Sequence, residues 1–396
     1  MKVLRNIIIS LLTGILWLVV LQYFLGNRYT FADQAAYKGD SLFNPYQRID
    51  KPEWLKGNFH AHCHAWNGIT NGHGSAEEVH RAYDSLGYAI HALSNYHEID
   101  TSLHRRPAYI PAYEHGYNIQ KTHQQVLGAR AIFWNDFIFP QTVHNKQSIL
   151  AALQRDPQAV IVLNHPSKRQ GYTLEDLKVL TGYHCMEVVS AAAKSFEEWD
   201  TALSSGKRVY IIGNDDLHNV RTGDRLGRVC TMVYAPTQRQ EDILTALKEG
   251  RAYAAEIGAG QDPYRVPALL GLKVHADTVS VVLTDTAQAI RVITENGRLW
   301  KSFAHCRALS FRADTTHAYY RIEAQFENGT VLYFNPVFYS EGTSPATITA
   351  SIRPVATWWH RAIGLLILLG WLLLVKRLWG PGSKRGWGRG RLQRSE

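Results

Sequence analysis

The sequence has few cysteines, and none is arranged as a zinc-finger type of metal site. Only four occur in 396 residues, and no Cys-x-x-Cys pair is among them. A dinucleotide-binding glycine fingerprint is also missing, because Gly258-Ala259-Gly260 is too short to form one. Chemistry based on a thiolate zinc site or a nicotinamide cofactor is therefore not indicated, and any site must use other side chains.

Nucleic-acid binding is not indicated either, although the formal net charge is +9. Seven Lys and Arg residues lie in the last 21 positions, where only Glu396 opposes them. The positive charge therefore belongs largely to a tail and is not spread over a binding surface. We expect no stable nucleic-acid partner.

Charged residues are absent from Ile7 to Leu25, a run long enough to cross a bilayer. We predict a transmembrane helix at residues 6–26 and a second one at residues 355–377, which has tryptophans at both ends. A cleaved signal peptide is the alternative for the first run, but the apolar region of a signal is only about 7–15 residues long.

The lysines and arginines outside both runs determine the predicted topology. By the positive-inside rule both termini are cytoplasmic, and the chain between the two spans is extracytoplasmic. We expect both spans to lie in the inner membrane. Residues 27–55 are then a linker from the membrane, and residues 378–396 are a basic cytoplasmic tail that is held near anionic lipid.

Histidines are concentrated in one part of the chain, since 14 of the 18 lie between His60 and His218. The segment that starts this region contains His60-x-His62. On a strand, residues two apart point to the same side, so these two imidazoles can hold one metal ion together. The pair alone is weak evidence, and the positions of the other histidines decide the interpretation.

Residues 56–256 alternate apolar strands with helices, and polar clusters follow the strands. The pattern predicts an α/β domain with a largely parallel sheet, in which reactive side chains collect at the carboxyl ends of the strands. We expect a barrel, because nearly every strand contributes a polar cluster. An open doubly wound sheet is the alternative, and it would collect its ligands at one switch point.

The ordered set of motifs resembles the polymerase and histidinol phosphatase (PHP) family. The set comprises His60-x-His62 with Asn67-Gly68, His97, Glu114, Asn164-His165-Pro166 and Asp216-x-His218. The resemblance implies a distorted (β/α)7 TIM-like barrel and phosphoester hydrolysis. It also implies two or three divalent metal ions, zinc, manganese or iron, in the cleft.

The resemblance also implies roles for individual residues. The first ion would be held by His60, His62, Glu114 and Asp216. Glu114 would bridge to a second ion held by His123 and His165, and His97 and His218 would lie toward a third ion. Asn67 stands where the family often has an aspartate, and His64 is a candidate replacement on the same strand face.

Phosphate chemistry also needs fixed positive charge near the ions. Arg221 is the preferred candidate, ahead of Lys168, Arg169 and Arg225. The residues predicted to take part in catalysis are Glu114, Asp216, His218 and Arg221. Glu187, which lies inside an apolar strand, is predicted to orient a metal ligand rather than to bind metal itself.

Residues 262–340 change to a period of two, which predicts a small all-β sandwich without a ligand cluster. Together these features favour a membrane-anchored, metal-dependent phosphoesterase whose substrate is a phosphorylated small molecule or envelope component. An amidohydrolase-type metal hydrolase is the first alternative, although such enzymes usually bridge their ions with a carboxylated lysine. A degenerate metal-binding module is the second.

Overall fold

A computed structural model describes residues 2–32, 36–50, 52–259, 261–341 and 349–379. The chain divides into two units, one formed by residues 29–352 and the other by the two terminal segments. From residue 380 onward, the predicted basic tail lies outside the described residues.

Seven helices and eighteen strands are assigned among the described residues. The helices are α1 (Lys2–Leu25), α2 (Ala76–Asp84), α3 (Val143–Leu153), α4 (Leu174–Val179), α5 (Phe196–Ser204), α6 (Gln240–Lys248) and α7 (Pro354–Trp379). The strands are β1 (Tyr29–Thr30), β2 (Ser41–Phe43), β3 (Leu55–Asn58), β4 (Ile90–His91), β5 (Ala112–His115), β6 (Gln124–Leu127), β7 (Val160–Leu163), β8 (Cys185–Ser190), β9 (Tyr210–Asn214), β10 (Val229–Val233), β11 (Ala252–Glu256), β12 (Leu269–His275), β13 (Thr278–Thr294), β14 (Arg298–Arg312), β15 (Tyr319–Gln325), β16 (Val331–Phe334), β17 (Val337–Ser340) and β18 (Ser351–Ile352).

The unit of residues 29–352 is a mixed α/β fold with two main sheets. Five strands form one sheet in the order β5-β6-β7-β8-β9. Eleven strands form the other: eight follow the path β12-β13-β15-β16-β11-β10-β3-β4, β14 pairs with β13, and β17 pairs with β15 and β2. Among the strands assigned in the described residues, only β3–β4, β7–β8 and β8–β9 pair in parallel. The prediction of a closed, largely parallel barrel is therefore wrong for the described residues.

The ladder is interrupted between β9 and β10 because side chains take the place of a neighbouring strand. The hydroxyl of Thr231 accepts from Gly213 N at 3.0 Å and donates to Gly213 O at 2.7 Å. Ile211 N donates to the side chain of Asn335. The backbone groups of β9 are thus satisfied without a continuous strand pair, as buried backbone must be.

The segment predicted as a separate sandwich instead continues the larger sheet. β16 pairs antiparallel with β11, with Tyr253 opposite Phe334, and β15 and β13 follow outward. Tyr253 and Phe334 belong to one buried cluster that also contains Val281 and Ile290. The sandwich is not confirmed, and these strands share a core with the region before them.

Helix α2 begins where the sequence provides a reciprocal cap. Ser75 Oγ accepts from Glu78 N at 3.1 Å, and the Glu78 carboxylate accepts from Ser75 N at 2.7 Å. This capping box satisfies two backbone groups that the first turn cannot pair itself. It fixes the start of the helix that follows the His60–His62 segment in the chain.

The terminal unit contains α1 and α7, which pack antiparallel. Asn6 Nδ2 donates to Leu378 O at 2.8 Å near one end, and His360 Nε2 donates to Tyr23 O at 2.7 Å near the other. Both helices are long and apolar enough to cross a membrane, by length and composition only. A signal sequence near the N-terminus passes the same test as α1.

A buried ion pair joins α5 to β15. Arg321 donates to both carboxylate oxygens of Asp200 at 2.7 Å, and Tyr319 adds a third hydrogen bond at 2.9 Å. Both charged side chains are about 95% buried. Arg321 also pairs with Glu323, so removal of Asp200 would leave the guanidinium buried with one of its two carboxylate partners.

We predict that Asp200→Ala lowers the free energy of unfolding by roughly 3 kcal/mol, because the buried Arg321 guanidinium loses two hydrogen bonds to a carboxylate and keeps only Glu323 as an ionic partner. The matched control is Asp277→Ala, which breaks an exposed pair with Arg312 and should cost about 1 kcal/mol or less. Urea unfolding of the full chain in neutral detergent, followed by tryptophan fluorescence, measures both. Equal losses would contradict the assignment.

Candidate metal centre

Two histidines enter the site from the extended segment after β3. This segment runs beside the residues after β9, since His62 N donates to Leu217 O at 2.7 Å. The alternation of an extended chain places His60 and His62 on one side, with their Nε2 atoms 3.2 Å apart. His64 is exposed and lies outside the buried groups, so it does not replace an aspartate.

The smaller sheet contributes Glu114, His123 and His165. Glu114 lies in β5 and is fully buried, and His123 Nδ1 lies 2.8 Å from Glu114 Oε1. His165 follows β7, and its Nε2 lies 3.4 Å from the same oxygen. The Glu114 carboxylate is therefore close to two imidazoles, that of His123 just before β6 and that of His165 just after β7.

The segment after β9 contributes Asp216 and His218. Asp216 is 1% exposed, and its Oδ1 lies 3.3 Å from His60 Nε2. Its φ of 47° belongs to the left-handed region, which few residues other than glycine adopt. Strain of this kind is a feature of functional sites, and here it accompanies a carboxylate turned toward the histidines.

Four overlapping groups of three side chains have ligand atoms close enough to hold a metal ion. They are His60–His165–Asp216, His60–His62–Glu114, His62–Asp216–His218 and Glu114–His123–His165. Glu114 belongs to two of the groups, so its two oxygens can serve two ions, as in two-metal hydrolases. The clusters fit divalent ions; which metal and how many ions stay predictions.

The distances between ligand atoms fit a metal ion. His60 Nε2 lies 3.5 Å from Glu114 Oε1 and 3.3 Å from Asp216 Oδ1, and His62 Nε2 lies 3.3 Å from Glu114 Oε2. Donor atoms placed tetrahedrally at about 2.1 Å from zinc are themselves roughly 3.4 Å apart. Glu114 Oε2 and Asp216 Oδ1 are buried and accept no hydrogen bond.

The protonation pattern of His60 also fits a cation. Its Nδ1 lies 2.9 Å from Glu187 Oε1 and must donate to that carboxylate, so Nε2 of the neutral ring points a lone pair toward Glu114 and Asp216. Burial lowers the pKa of His60, but the negative charges of Glu187, Glu114 and Asp216 outweigh this effect. The net pKa of His60 is therefore well above its ordinary value. The position therefore attracts positive charge.

Glu187 lies behind the ligands, as the sequence predicts. Besides His60 Nδ1, its carboxylate accepts from His165 N at 3.1 Å and from Asn214 Nδ2 at 3.1 Å. Such a carboxylate fixes the ring orientation of a metal-binding histidine and increases its basicity. Asn214, which no sequence motif indicated, links this support to β9 and also accepts from Phe59 N.

Two predicted residues are not brought into the groups. His97 Nε2 accepts from Gly116 N at 3.1 Å, and its ring stacks on Trp134, so His97 belongs to none of the four groups. Arg221 is 68% exposed and pairs with Glu78. Asn67 is exposed and has a left-handed φ of 51° in the turn after the histidines.

The cations beside the centre are Lys168 and Arg225, which the sequence ranked below Arg221. Lys168 Nζ lies 3.2 Å and Arg225 Nη1 3.3 Å from Asp216 Oδ2. The sequence could not show which of these cations lies closest to the ligands, because that depends on the path of the loop at residues 217–228. Tyr96, which sequence reasoning missed, stacks on His62 with ring centroids 4.8 Å apart.

No family model matches the sequence, and no curated protein matches it. Two solved structures are weakly similar. A Bacteroides vulgatus two-domain protein containing a predicted PHP-like metal-dependent phosphoesterase has 15% identity and a TM-score of 0.39, covering 80% of this chain and 99% of its own. PsfC from Pseudomonas syringae has 14% identity and a TM-score of 0.37, covering 54% and 94%. Such scores are too low to transfer an activity to this chain.

We predict that the full chain, purified in detergent without chelator, contains at least two divalent transition-metal ions. His62→Ala should lower the ratio of metal to protein, because His62 takes part in two of the groups. The matched control is His104→Ala, at an exposed histidine outside them. Elemental analysis measures the ratio, and less than one ion per wild-type chain would contradict the assignment.

Proposed function

We propose that this chain is a metal-dependent phosphoesterase. The observation that carries the proposal is the shared position of Glu114, whose Oε1 lies beside His123 and His165 and whose Oε2 lies beside His62. A carboxylate in this position is suited to hold two divalent ions side by side. Bound ions of this kind activate water near neutral pH and neutralise the charge of a phosphoryl group.

The residues around the centre also suit an anionic substrate. The side chains of Lys168 and Arg225 are 33% and 37% exposed, so each reaches both Asp216 and the solvent. They add fixed positive charge where phosphate oxygens would approach. His218 is the most exposed histidine of the groups, with 18% of its side chain accessible, and is placed to contact substrate.

The arrangement favours a phosphoester over a cyclic amide. In the amidohydrolase pattern a carboxylated lysine usually bridges the ions, whereas here the position between two histidine sets belongs to Glu114. Lys168, the lysine at the centre, contacts Asp216 at 3.2 Å instead. Lys168 and Arg225, which lie beside the ligands, could neutralise the negative charge of a phosphate group.

The proposal extends to the location of the enzyme. α1 and α7 anchor it in the inner membrane, both termini are cytoplasmic, and the catalytic unit is extracytoplasmic. The support is the length and apolar composition of both helices, together with basic residues beyond each of them. A tethered enzyme on that side would act on a phosphorylated envelope component or a small phosphorylated molecule.

We predict that Asp216→Ala abolishes phosphoester hydrolysis, because Asp216 takes part in two ligand groups. Arg225→Gln should reduce kcat/KM roughly ten- to a hundredfold, the loss expected for a hydrogen bond to a charged group. Arg221→Gln is the matched control and should stay within about twofold, since its partner is Glu78.

The measurement is turnover of a chromogenic phosphomonoester and phosphodiester by the full chain with manganese or zinc. If Arg221→Gln lost as much activity as Arg225→Gln, the phosphate-facing cations would be misassigned. Turnover of a cyclic amide with silence on all phosphoesters would move the chain to the amidohydrolase class.

The topology has its own test. We predict that a reporter active only outside the cytoplasm is active when fused after Ile352 and silent when fused after Arg389, because α7 lies between the two points. Activity at both positions would mean that α7 does not cross the membrane. Silence at both would place the catalytic unit in the cytoplasm.

A further inference from the structure

A second polar pocket lies at the opposite ends of the strands from the metal centre. It has a volume of about 220 Å³ and is lined by residues that precede β8 and β9, with side chains from the ends of α3 and α6. The ligands of the metal centre follow β7 and β9. β9 alone has five residues, so the two sites are separated by roughly 16 Å along the strand.

Lys207 is the least expected residue of this pocket. It is 7% exposed, and its ammonium group has no hydrogen bond or ion pair among the described residues. Burial lowers its pKa to about 8. The stem of Lys207 is buried while its ammonium group lines the pocket, where a bound anion would give that group the ionic partner it lacks among the described residues.

Two neutral donors join Lys207. His184 Nδ1 accepts from Ile161 N at 3.1 Å, so the proton of the neutral ring is on Nε2, and burial, Lys248 and Arg208 lower its pKa to about 4. The ring therefore stays neutral and donates at physiological pH. The Tyr183 hydroxyl is buried and has no hydrogen-bond partner.

Two further cations complete the lining, and no acidic residue takes part in it. Arg208 is exposed and has no ion pair among the described residues. Lys248 Nζ donates to Pro157 O at 2.7 Å and to Gln158 O at 3.0 Å, which leaves one of its three protons unused. The lining thus presents donors and positive charge without a carboxylate, although Asp156 lies close enough to Lys248 to interact with it electrostatically.

We propose that this pocket binds a phosphate-bearing anion, held by Lys207, Arg208 and Lys248 with the donors of Tyr183 and His184. The volume is below the roughly 300–1,000 Å³ of sites for drug-sized ligands, so it suits a small group. The negative charge of a phosphate complements the three cations of the pocket, and its several oxygens can accept hydrogen bonds from them and from the two neutral donors.

The anion has two sources with the same chemistry, free phosphate and the headgroup of an anionic lipid. The chain segment just before α7 reaches the pocket, because Ala350 N donates to the hydroxyl of Thr181, a lining residue, at 3.2 Å. The pocket itself does not depend on the proposed catalytic activity.

The test is thermal unfolding of the full chain in neutral detergent, titrated with inorganic phosphate or dihexanoyl phosphatidic acid against chloride of equal ionic strength. Wild type should be stabilised, and Lys207→Gln and Arg208→Gln should each weaken the apparent affinity roughly tenfold or more. Arg208 is exposed, so its variant tests the site even if Lys207→Gln does not fold. Arg105→Gln, at another exposed arginine, is the matched control and should bind as wild type does.

His62→Ala separates this pocket from the metal centre, which would also bind phosphate if it is catalytic. Stabilisation that persists in His62→Ala and weakens in Arg208→Gln supports the pocket, with the tighter of the two probes identifying the source. Stabilisation that is lost in His62→Ala and unchanged in Arg208→Gln overturns the proposal. So does the absence of any effect beyond that of chloride.

Discussion

The structure depends on three carboxylates that converge in one buried region. Glu114 and Glu187 are fully buried and Asp216 nearly so, and each carboxylate taken out of water costs several kcal/mol if it is left unpaired. His60 contacts all three, at 2.9 Å from Glu187 and at 3.3 to 3.5 Å from the others. One imidazole cannot neutralise three charges, so the arrangement requires further positive charge. The cations beside Asp216 supply part of it, and divalent ions, which the ligand groups fit, would supply the rest.

The break between the two sheets lies beside this buried region, because Asp216 lies just after β9. β9 and β10 are not paired along their length. Instead Thr231 substitutes for a strand neighbour at Gly213, and a Cβ on Gly213 would come within 2.9 Å of Ala254. Asn58 of β3 accepts from Asp215 N, and Asn214 of β9 accepts from Phe59 N, so side chains also join β3 to β9. Polar side chains here form hydrogen bonds to backbone groups that a neighbouring strand would pair with in a closed barrel.

The sequence predicts some parts of this site well, because they depend on local geometry. His60 and His62 share a side since an extended chain alternates, and His165 and Asp216 follow apolar runs whose ends meet in space. The break in the ladder was not predictable, since bonds from Thr231 and Asn214 to distant backbone leave no periodic signal. For His97 and Arg221 the sequence indicated the residues but not their partners. His97 accepts a hydrogen bond from Gly116 N, and Arg221 forms an ion pair with Glu78. The joining of β16 to β11 depends on pairing between distant segments, which a period of two does not specify.

The same strands carry opposite charges at their two ends. β8 and β9 begin beside Lys207 and lead to Glu187 and Asp216, so a buried ammonium and buried carboxylates are separated by the length of one strand. At that distance their direct attraction is weak, and each group must be neutralised locally. At the carboxylate end this is done by histidines and by Lys168, and bound divalent ions would add to it. At the Lys207 end no described residue does it, and the same electrostatic argument that calls for cations at one end calls for an anion at the other.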